Sequence, residues 1–166
     1  MKYCIECGNK LQLKYLENEG MIPYCTKCEE YRFPIFNTAC SMVVLNKEKN
    51  KILLIQQYGK PSYILVAGYI NKGESAEHTV AREVKEEVGL DIIEIGFNKS
   101  KYFAKSNTLM LNFYCVAENE DLSHMTKEVD RADWFSFEEA RKNIRHGSLA
   151  EEFLLTFLQK EKAGEL

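Results

Sequence analysis

Residues 68–90 read GYINKGESAEHTVAREVKEEVGL, and the fold turns on them. From Gly68 the fixed positions are Gly68-x5-Glu74-x7-Arg82-Glu83-Val84-x-Glu86-Glu87-x-Gly89-Leu90. At roughly 5–7% usage per residue type, seven fixed positions coincide by chance with a probability on the order of 10⁻⁹ per start. The middle of the stretch has a helical period: Ala76, Val80, Val84 and Val88 recur every four residues within Ser75–Val88, and Gly89 supplies the stop. On such a helix Glu83, Glu86 and Glu87 stand at i, i+3 and i+4, so their carboxylates leave one face while the valines leave another. Carboxylates crowded in this way repel one another, and a hard divalent cation with oxygen ligands, Mg²⁺ for example, offsets the repulsion while also holding substrate phosphate oxygens. Arg82 has a partner within reach in Glu74, across the turn. A solvated acidic face is the usual reading of a charge run, but here the flanking glycines fall into the same pattern.

Upstream, four of the six cysteines form two pairs, Cys4-x2-Cys7 and Cys25-x2-Cys28, with 17 residues between them. This is a zinc-ribbon spacing: two tight knuckles place four thiolates around one Zn²⁺ and leave no open coordination position, so the site is structural. Two disulfides are the competing arrangement, which a reducing compartment and the knuckle spacing both disfavour. A segment of this size has little core of its own, and metal binding is expected to supply most of its folding free energy. Cys40 and Cys115 lie in apolar runs and read as buried, inert thiols.

After Pro34 the pattern turns to strands at Cys40–Leu45 and Lys51–Gln57, joined by the polar loop Asn46–Asn50. Tyr63–Val66, Asp91–Phe97 and Leu109–Ala117 continue the series, and Trp134-Phe135 ends a last short strand. Ser136-x-x-Glu139 and Ser148-x-x-Glu151 are capping boxes that open helices covering Ala140–Ile144 and Phe153–Leu158. The expectation is an α/β fold with a mixed sheet and helices on its faces, divided as a ribbon at 1–34 and a larger domain at 35–163.

The bulk properties agree with that division. The chain has 166 residues, 45% hydrophobic and 28% charged, enough for one core and a small appendage. A formal net charge of −3 argues against a broad basic surface for nucleic acid. No apolar run reaches a membrane span, and Met1-Lys2-Tyr3-Cys4 leaves no room for a signal peptide, so a cytoplasmic location is expected.

The motif at 68–90 resembles the Nudix box, and with the ribbon upstream the chain from Tyr3 to about Leu158 is similar to the NADH pyrophosphatase branch of that family. The resemblance implies a Nudix-type α/β/α sandwich, hydrolysis of a nucleoside diphosphate joined to another moiety, and catalytic Mg²⁺ or Mn²⁺. Carried over by position, it makes Glu83, Glu86 and Glu87 metal ligands, with the Gly68 carbonyl a further candidate. It also gives Arg82 and Glu74 supporting roles in catalysis. Glu128-Val129-x-x-Ala132-x-Trp134-Phe135 resembles the downstream segment whose Glu reaches back to the metal cluster; a plain surface carboxylate is the alternative. Tyr69 of Ala67-Gly68-Tyr69 and Phe33 before Pro34 occupy the positions that stack on adenine, one from each subunit of a homodimer; plain core residues are the alternative.

The departures concern substrate. Where the branch has a Trp- and Pro-rich loop, this chain has Ser100-Lys101-Tyr102-Phe103-Ala104-Lys105-Ser106-Asn107-Thr108, with Phe103 at the Trp position as a candidate substrate contact and no proline. Lys101 and Lys105 are either phosphate or base contacts or solvated strand residues. Asn71 stands where a Glu is common. Three functions compete: a dinucleotide pyrophosphatase acting on NADH, NAD or ADP-ribose-like compounds, an RNA-end hydrolase that removes an NAD cap with the ribbon gripping RNA, and a non-catalytic nucleotide sensor.

Overall fold

The two Cys-x2-Cys pairs gather the N-terminal segment around themselves. β1 (Gln12–Leu16), β2 (Gly20–Cys25) and β3 (Glu30–Tyr31) form a three-stranded antiparallel sheet, with Tyr15 opposite Met21 and Cys25 opposite Glu30. The knuckles close through short bonds: the Gly8 N–H donates to the Cys4 carbonyl at 2.9 Å, and the Cys28 N–H to Cys25 Sγ at 3.4 Å. Cys4 and Cys25 are the only buried residues of this unit, while Leu13, Tyr15 and Met21 are exposed. Sulfur therefore stands where a hydrophobic core would be.

The computed structural model describes residues 1–166, and the chain divides into units Met1–Phe36 and Asn37–Leu166. The second unit begins with its first strand, which puts the boundary at residue 36 instead of the expected 34. β4 (Asn37–Leu45) and β5 (Lys51–Gln56) alternate strictly between two buried faces. Cys40, Met42, Val44, Leu53 and Ile55 face one way, and Val43, Leu45, Ile52 and Leu54 the other. Burial on both faces explains why these strands read as continuous apolar runs. On the first face lies α1 (Ala76–Val88), which packs Val80, Val84 and Val88 into the core. On the second lie α2 (Phe137–Asn143) and α3 (Leu149–Ala163), through Ala140, Phe153, Leu154 and Phe157. This is the α/β/α sandwich.

The remaining strands are β6 (Val66–Tyr69), β7 (Ile92–Phe103), β8 (Thr108–Ala117) and β9 (Arg131–Ser136). The sheet order is β7-β8-β4-β5-β9, with β6 also paired to β4. β4 and β8 run parallel over the whole length of β4, and the other pairings are antiparallel, so the sheet is mixed. β4 diverges from β5 after two paired positions, and β6 takes up the free edge, setting Gly68 opposite Cys40. No helix is long and apolar enough to cross a membrane.

Three local expectations are corrected. Tyr63–Val66 is not a strand: Tyr63 and Ile64 make single bridges, and the strand starts at Val66 and runs into the motif, because the open edge of β4 lies further along. β7 extends to Phe103, six residues past the expected end. The extension is hidden by a register shift between Phe97 and Lys99, which turns Asn98 inward to donate to Asn112 Oδ1 at 2.8 Å and to the Phe153 carbonyl at 3.0 Å. Of the two capping boxes, the one at Ser136 is complete. At Ser148 only the serine half forms; the Glu151 carboxylate instead accepts from the Gly147 N–H at 2.7 Å and pairs with His146.

α1 ends where the sequence places its stop. Gly89 has φ 77°, and a Cβ there would lie 2.7 Å from His124 Cβ and 2.9 Å from the His124 backbone. The left-handed conformation alone costs an L-residue roughly 1–2 kcal/mol, and the contact with His124 adds to it. Gly89→Ala is therefore expected to lower the urea midpoint by at least that equivalent with an unchanged slope.

Candidate active site

Helix α1 carries five charged residues in the six positions from Arg82 to Glu87, and their environments differ. Ser75 caps the helix, its Oγ accepting from the His78 N–H at 3.2 Å, which fixes the phase of the turns that follow. With the valines inward, Glu87 is carried to the edge of the core and is only 5% exposed. Glu83 is partly buried, and Glu86 points to solvent. Arg82 binds Glu74, Glu83 and Glu86, but neither Glu87 nor Glu128. Its Nε donates to Glu74 Oε1 at 2.8 Å and Nη2 to Glu74 Oε2 at 2.9 Å, a bidentate pair across the turn as the sequence suggested. Nη1 reaches Glu83 at 2.7 Å and Glu86 at 2.9 Å, and Nη2 also reaches the Tyr69 carbonyl at 3.1 Å.

Strand β6 brings its glycine against this helix. A Cβ on Gly68 would fall 1.8 Å from Glu83 Cδ, so the absence of a side chain there admits the Glu83 carboxylate. The space beyond is a cleft of about 430 Å³. Its acidic side is made by Glu83, Glu87 and Glu128, with Gly68 and Arg82 beside them. Tyr58 and Tyr69 form its aromatic part, and Ser106, Thr108 and Met110 from the far end of the sheet complete it. Glu128 thus reaches the motif from the loop before β9. Phe103 does not line the cleft; it ends β7 half-buried, while the Ser106 and Thr108 that follow do line it. Phe33 belongs to the ribbon unit and is 51% exposed.

Two residues of this region went unnoticed in the sequence. Tyr58 lies in the turn after β5 with no motif around it, and Gln57, buried and close enough to Glu87 to favour its ionised form, reads as one more polar residue after β5. A glutamine buried beside an apolar strand is the one signal that the period offered.

The electrostatics favour a cation. Desolvation pushes the Glu87 carboxyl up to about 7, the Glu83 and Glu128 charges push it the same way, and the Gln57 hydrogen bond only partly opposes them. Glu87 Oε2 is buried without a hydrogen-bond partner. An orphaned carboxylate oxygen facing two further acids fits a divalent cation's oxygen ligation. The carboxylates are not drawn to one point as the cysteine sulfurs are; Glu83 and Glu86 turn to Arg82. Glu74 is different: the Arg82 guanidinium holds it at about 2, against a smaller opposing effect of burial.

In the ribbon the four Sγ atoms lie within 4.8 Å of one another, with Cys4 and Cys28 3.9 Å apart and Cys7 and Cys25 3.5 Å apart. Disulfides are close to 2.05 Å, whereas a tetrahedral ion with bonds of ~2.3 Å separates its sulfurs by roughly 3.8 Å. Burial alone would raise the Cys4 thiol, but hydrogen bonds from the Arg32 guanidinium and the backbone outweigh it and hold it at about 6. A thiolate is thus favoured at that corner. Cys40 and Cys115 are buried, with thiols pushed up to about 12 chiefly by desolvation, which keeps both unreactive.

Residues 36–157 match the family model of the NUDIX domain, and the chain belongs to the Nudix family. Among curated relatives it is 30% identical over 153 residues to the NAD-capped RNA hydrolase NudC of Vibrio parahaemolyticus, covering 90% of this chain and 56% of that protein. The chain thus spans about half the length of the curated relatives it matches. Among solved structures, a Nudix hydrolase from Nitrosomonas europaea superposes with a TM-score of 0.68 at 20% identity, covering 99% of this chain and 94% of that one. The Nudix domain of Shewanella oneidensis NrtR, solved with ADP ribose, gives 0.62 at 18% identity, covering 84% and 93%. Both share the fold.

Glu87 also sets a pH dependence. Below the ordinary glutamate range both folded and unfolded chains hold this proton. As pH rises past about 4.5 the unfolded chain releases it first, and stability falls until the folded group ionises near 7. In metal-free buffer, urea titrations between pH 4.5 and 7.5 are expected to show a loss of up to ~3 kcal/mol, which Glu87→Gln abolishes.

Proposed function

We propose that this chain hydrolyses the diphosphate linkage of a nucleoside diphosphate derivative with Mg²⁺ or Mn²⁺, its substrates being NADH, NAD or an ADP-ribose-like compound. The observation that carries the reading is the cleft beside Gly68, where Glu87 keeps an unpaired, buried carboxylate oxygen next to Glu83 and Glu128. The curated relatives named as NAD-capped RNA hydrolases support the choice of a dinucleotide. Glu83, Glu86, Glu87 and Glu128, with the Gly68 carbonyl, are assigned to the cation. When bound, the cation neutralises the phosphates of the substrate and polarises an attacking water. Water oxygen bonds to one phosphorus, the bridging P–O bond breaks, and two phosphomonoesters leave.

The protein's own contribution is placement. Arg82 holds Glu83 and Glu86 from one side, Glu74 anchors Arg82, and the bare Gly68 leaves the Glu83 carboxylate its position. Phe33 and Tyr69 are assigned to the adenine, one from each subunit of a homodimer; both rings are exposed and available for it. Cys4, Cys7, Cys25 and Cys28 are assigned to a structural Zn²⁺, in a cytoplasm that keeps thiols reduced. A second reading, removal of an NAD cap from RNA, breaks the same bond and draws its support from the names of the relatives.

Incubation of the protein with nucleoside diphosphate derivatives and Mg²⁺ or Mn²⁺, followed by mass spectrometry, is expected to show AMP from NADH. Binding that stabilises the protein without any product points to a sensor and overturns the hydrolase reading. A clear preference for NAD-capped RNA over free NAD selects the second substrate. Glu86→Gln and Glu87→Gln are each expected to lower turnover by orders of magnitude with an unchanged circular dichroism spectrum; full activity in either removes that ligand. Gly68→Ala displaces the Glu83 carboxylate and is expected to lower kcat roughly 10²-fold.

A further inference from the structure

Tyr58 combines properties that rarely coincide in an ordinary surface residue. Its side chain is 81% exposed, and neither a hydrogen bond nor another ring engages it. Its φ is 59°, in the left-handed region that an aromatic residue seldom adopts. It lines the same cleft as Glu87 and Glu128. A ring so largely exposed and held in a disfavoured backbone conformation contributes little to packing, so its position calls for another reason.

The conformation is imposed from both sides of the cleft's acidic edge. The Gly59 N–H donates to Asp130 Oδ2 at 2.7 Å, and the Asp130 N–H returns a bond to the Gln56 carbonyl at 2.8 Å. The Lys60 N–H closes the turn on the Gln57 carbonyl at 3.2 Å. Asp130 belongs to the same loop as Glu128, and the Gln57 side chain lies close enough to Glu87 to favour its ionised form. The ring is therefore presented by a turn fastened to the loop that carries Glu128, while Tyr69, on β6 beside Gly68, lines the same cleft from another segment. The stretch after the box brings Ser106, Thr108 and Met110 to the cleft and no aromatic ring.

Resting on the diphosphate-hydrolase reading, we propose that Tyr58 is a specificity-determining contact, stacking on the second ring of a dinucleotide, across the diphosphate from the ring that meets Tyr69. A molecule with the same ADP half and no second ring gains nothing from it.

Steady-state kinetics on NADH and on ADP-ribose separate the two halves. Tyr58→Gly removes the ring and accepts φ 59° without strain, so its urea midpoint is expected to equal or exceed that of the parent. Its KM for NADH is expected to rise about 10-fold, in the range of a lost base–aromatic stack, with kcat nearly unchanged. Its kinetics on ADP-ribose are expected to stay within about twofold, and Tyr58→Phe to restore KM for NADH, since the ring and not the hydroxyl does the stacking. An equal loss on both substrates, or no change on NADH, overturns the proposal. So does a parent enzyme that hydrolyses ADP-ribose and leaves NADH intact, an outcome that spares the hydrolase reading. Turnover of neither substrate removes both.

Discussion

One guanidinium organises the second unit's cleft. Arg82 donates to Glu74 on the loop, to Glu83 and Glu86 on its own helix, and to the Tyr69 carbonyl on β6. Three chain segments meet at that planar fork, whose five N–H donors are enough to serve all of them. A lysine has no equivalent geometry. The pairing with Glu74 is bidentate and only partly exposed, which puts it among the stronger kinds of ion pair. Of the acids on α1 beside it, Glu87 is the one that the fork does not reach, and it is the one that burial leaves with an orphaned oxygen. Arg82 thus divides the acidic face into groups already compensated and one group that requires a partner from outside the chain.

The same division separates what the sequence reveals from what it conceals. The box is legible because its constraints are local: carboxylates at i, i+3 and i+4, a cap at Ser75 and a stop at Gly89 all lie within one helix and its ends. Even Arg82 and Glu74 meet across a single turn. Glu128 is harder, since only the topology of β9 beside β5 returns its loop to the cleft. Tyr58 and Gln57 are illegible. Their placement depends on the bond that the Gly59 N–H donates to Asp130, remote in sequence, and no motif announces a hook of that kind. The far half of β7 is lost for a related reason: a bulge at Phe97/Lys99 breaks the alternation, and the inward Asn98 looks like a turn residue.

The two units solve the problem of stability in different ways. In the ribbon, buried groups amount to two cysteines, and Leu13, Tyr15 and Met21 of β1 and β2 are exposed. Its four cysteine sulfurs converge on one centre, with the Arg32 guanidinium donating to Cys4. In the larger unit, β4 and β5 are covered on both faces and the helices add apolar stripes, so the fold needs no ion. A chelator should distinguish the two on physical grounds alone, because metal free energy is folding free energy only where no core competes with it.

That independence allows the larger unit to carry an unfavourable site. Burying Glu87 beside Glu83 and Glu128 destabilises the metal-free protein near neutral pH, and the left-handed Tyr58 adds strain on the rim of the same cleft. Neither feature improves packing: the carboxylate oxygen has no partner and the ring is largely exposed. Both are of a kind that an incoming group would relieve, as the proposed cation would the carboxylate and the proposed aromatic ring the tyrosine. A sheet buried on both faces supplies the surplus that holds them in place. The local disagreements between sequence preference and structure therefore collect where a ligand would resolve them.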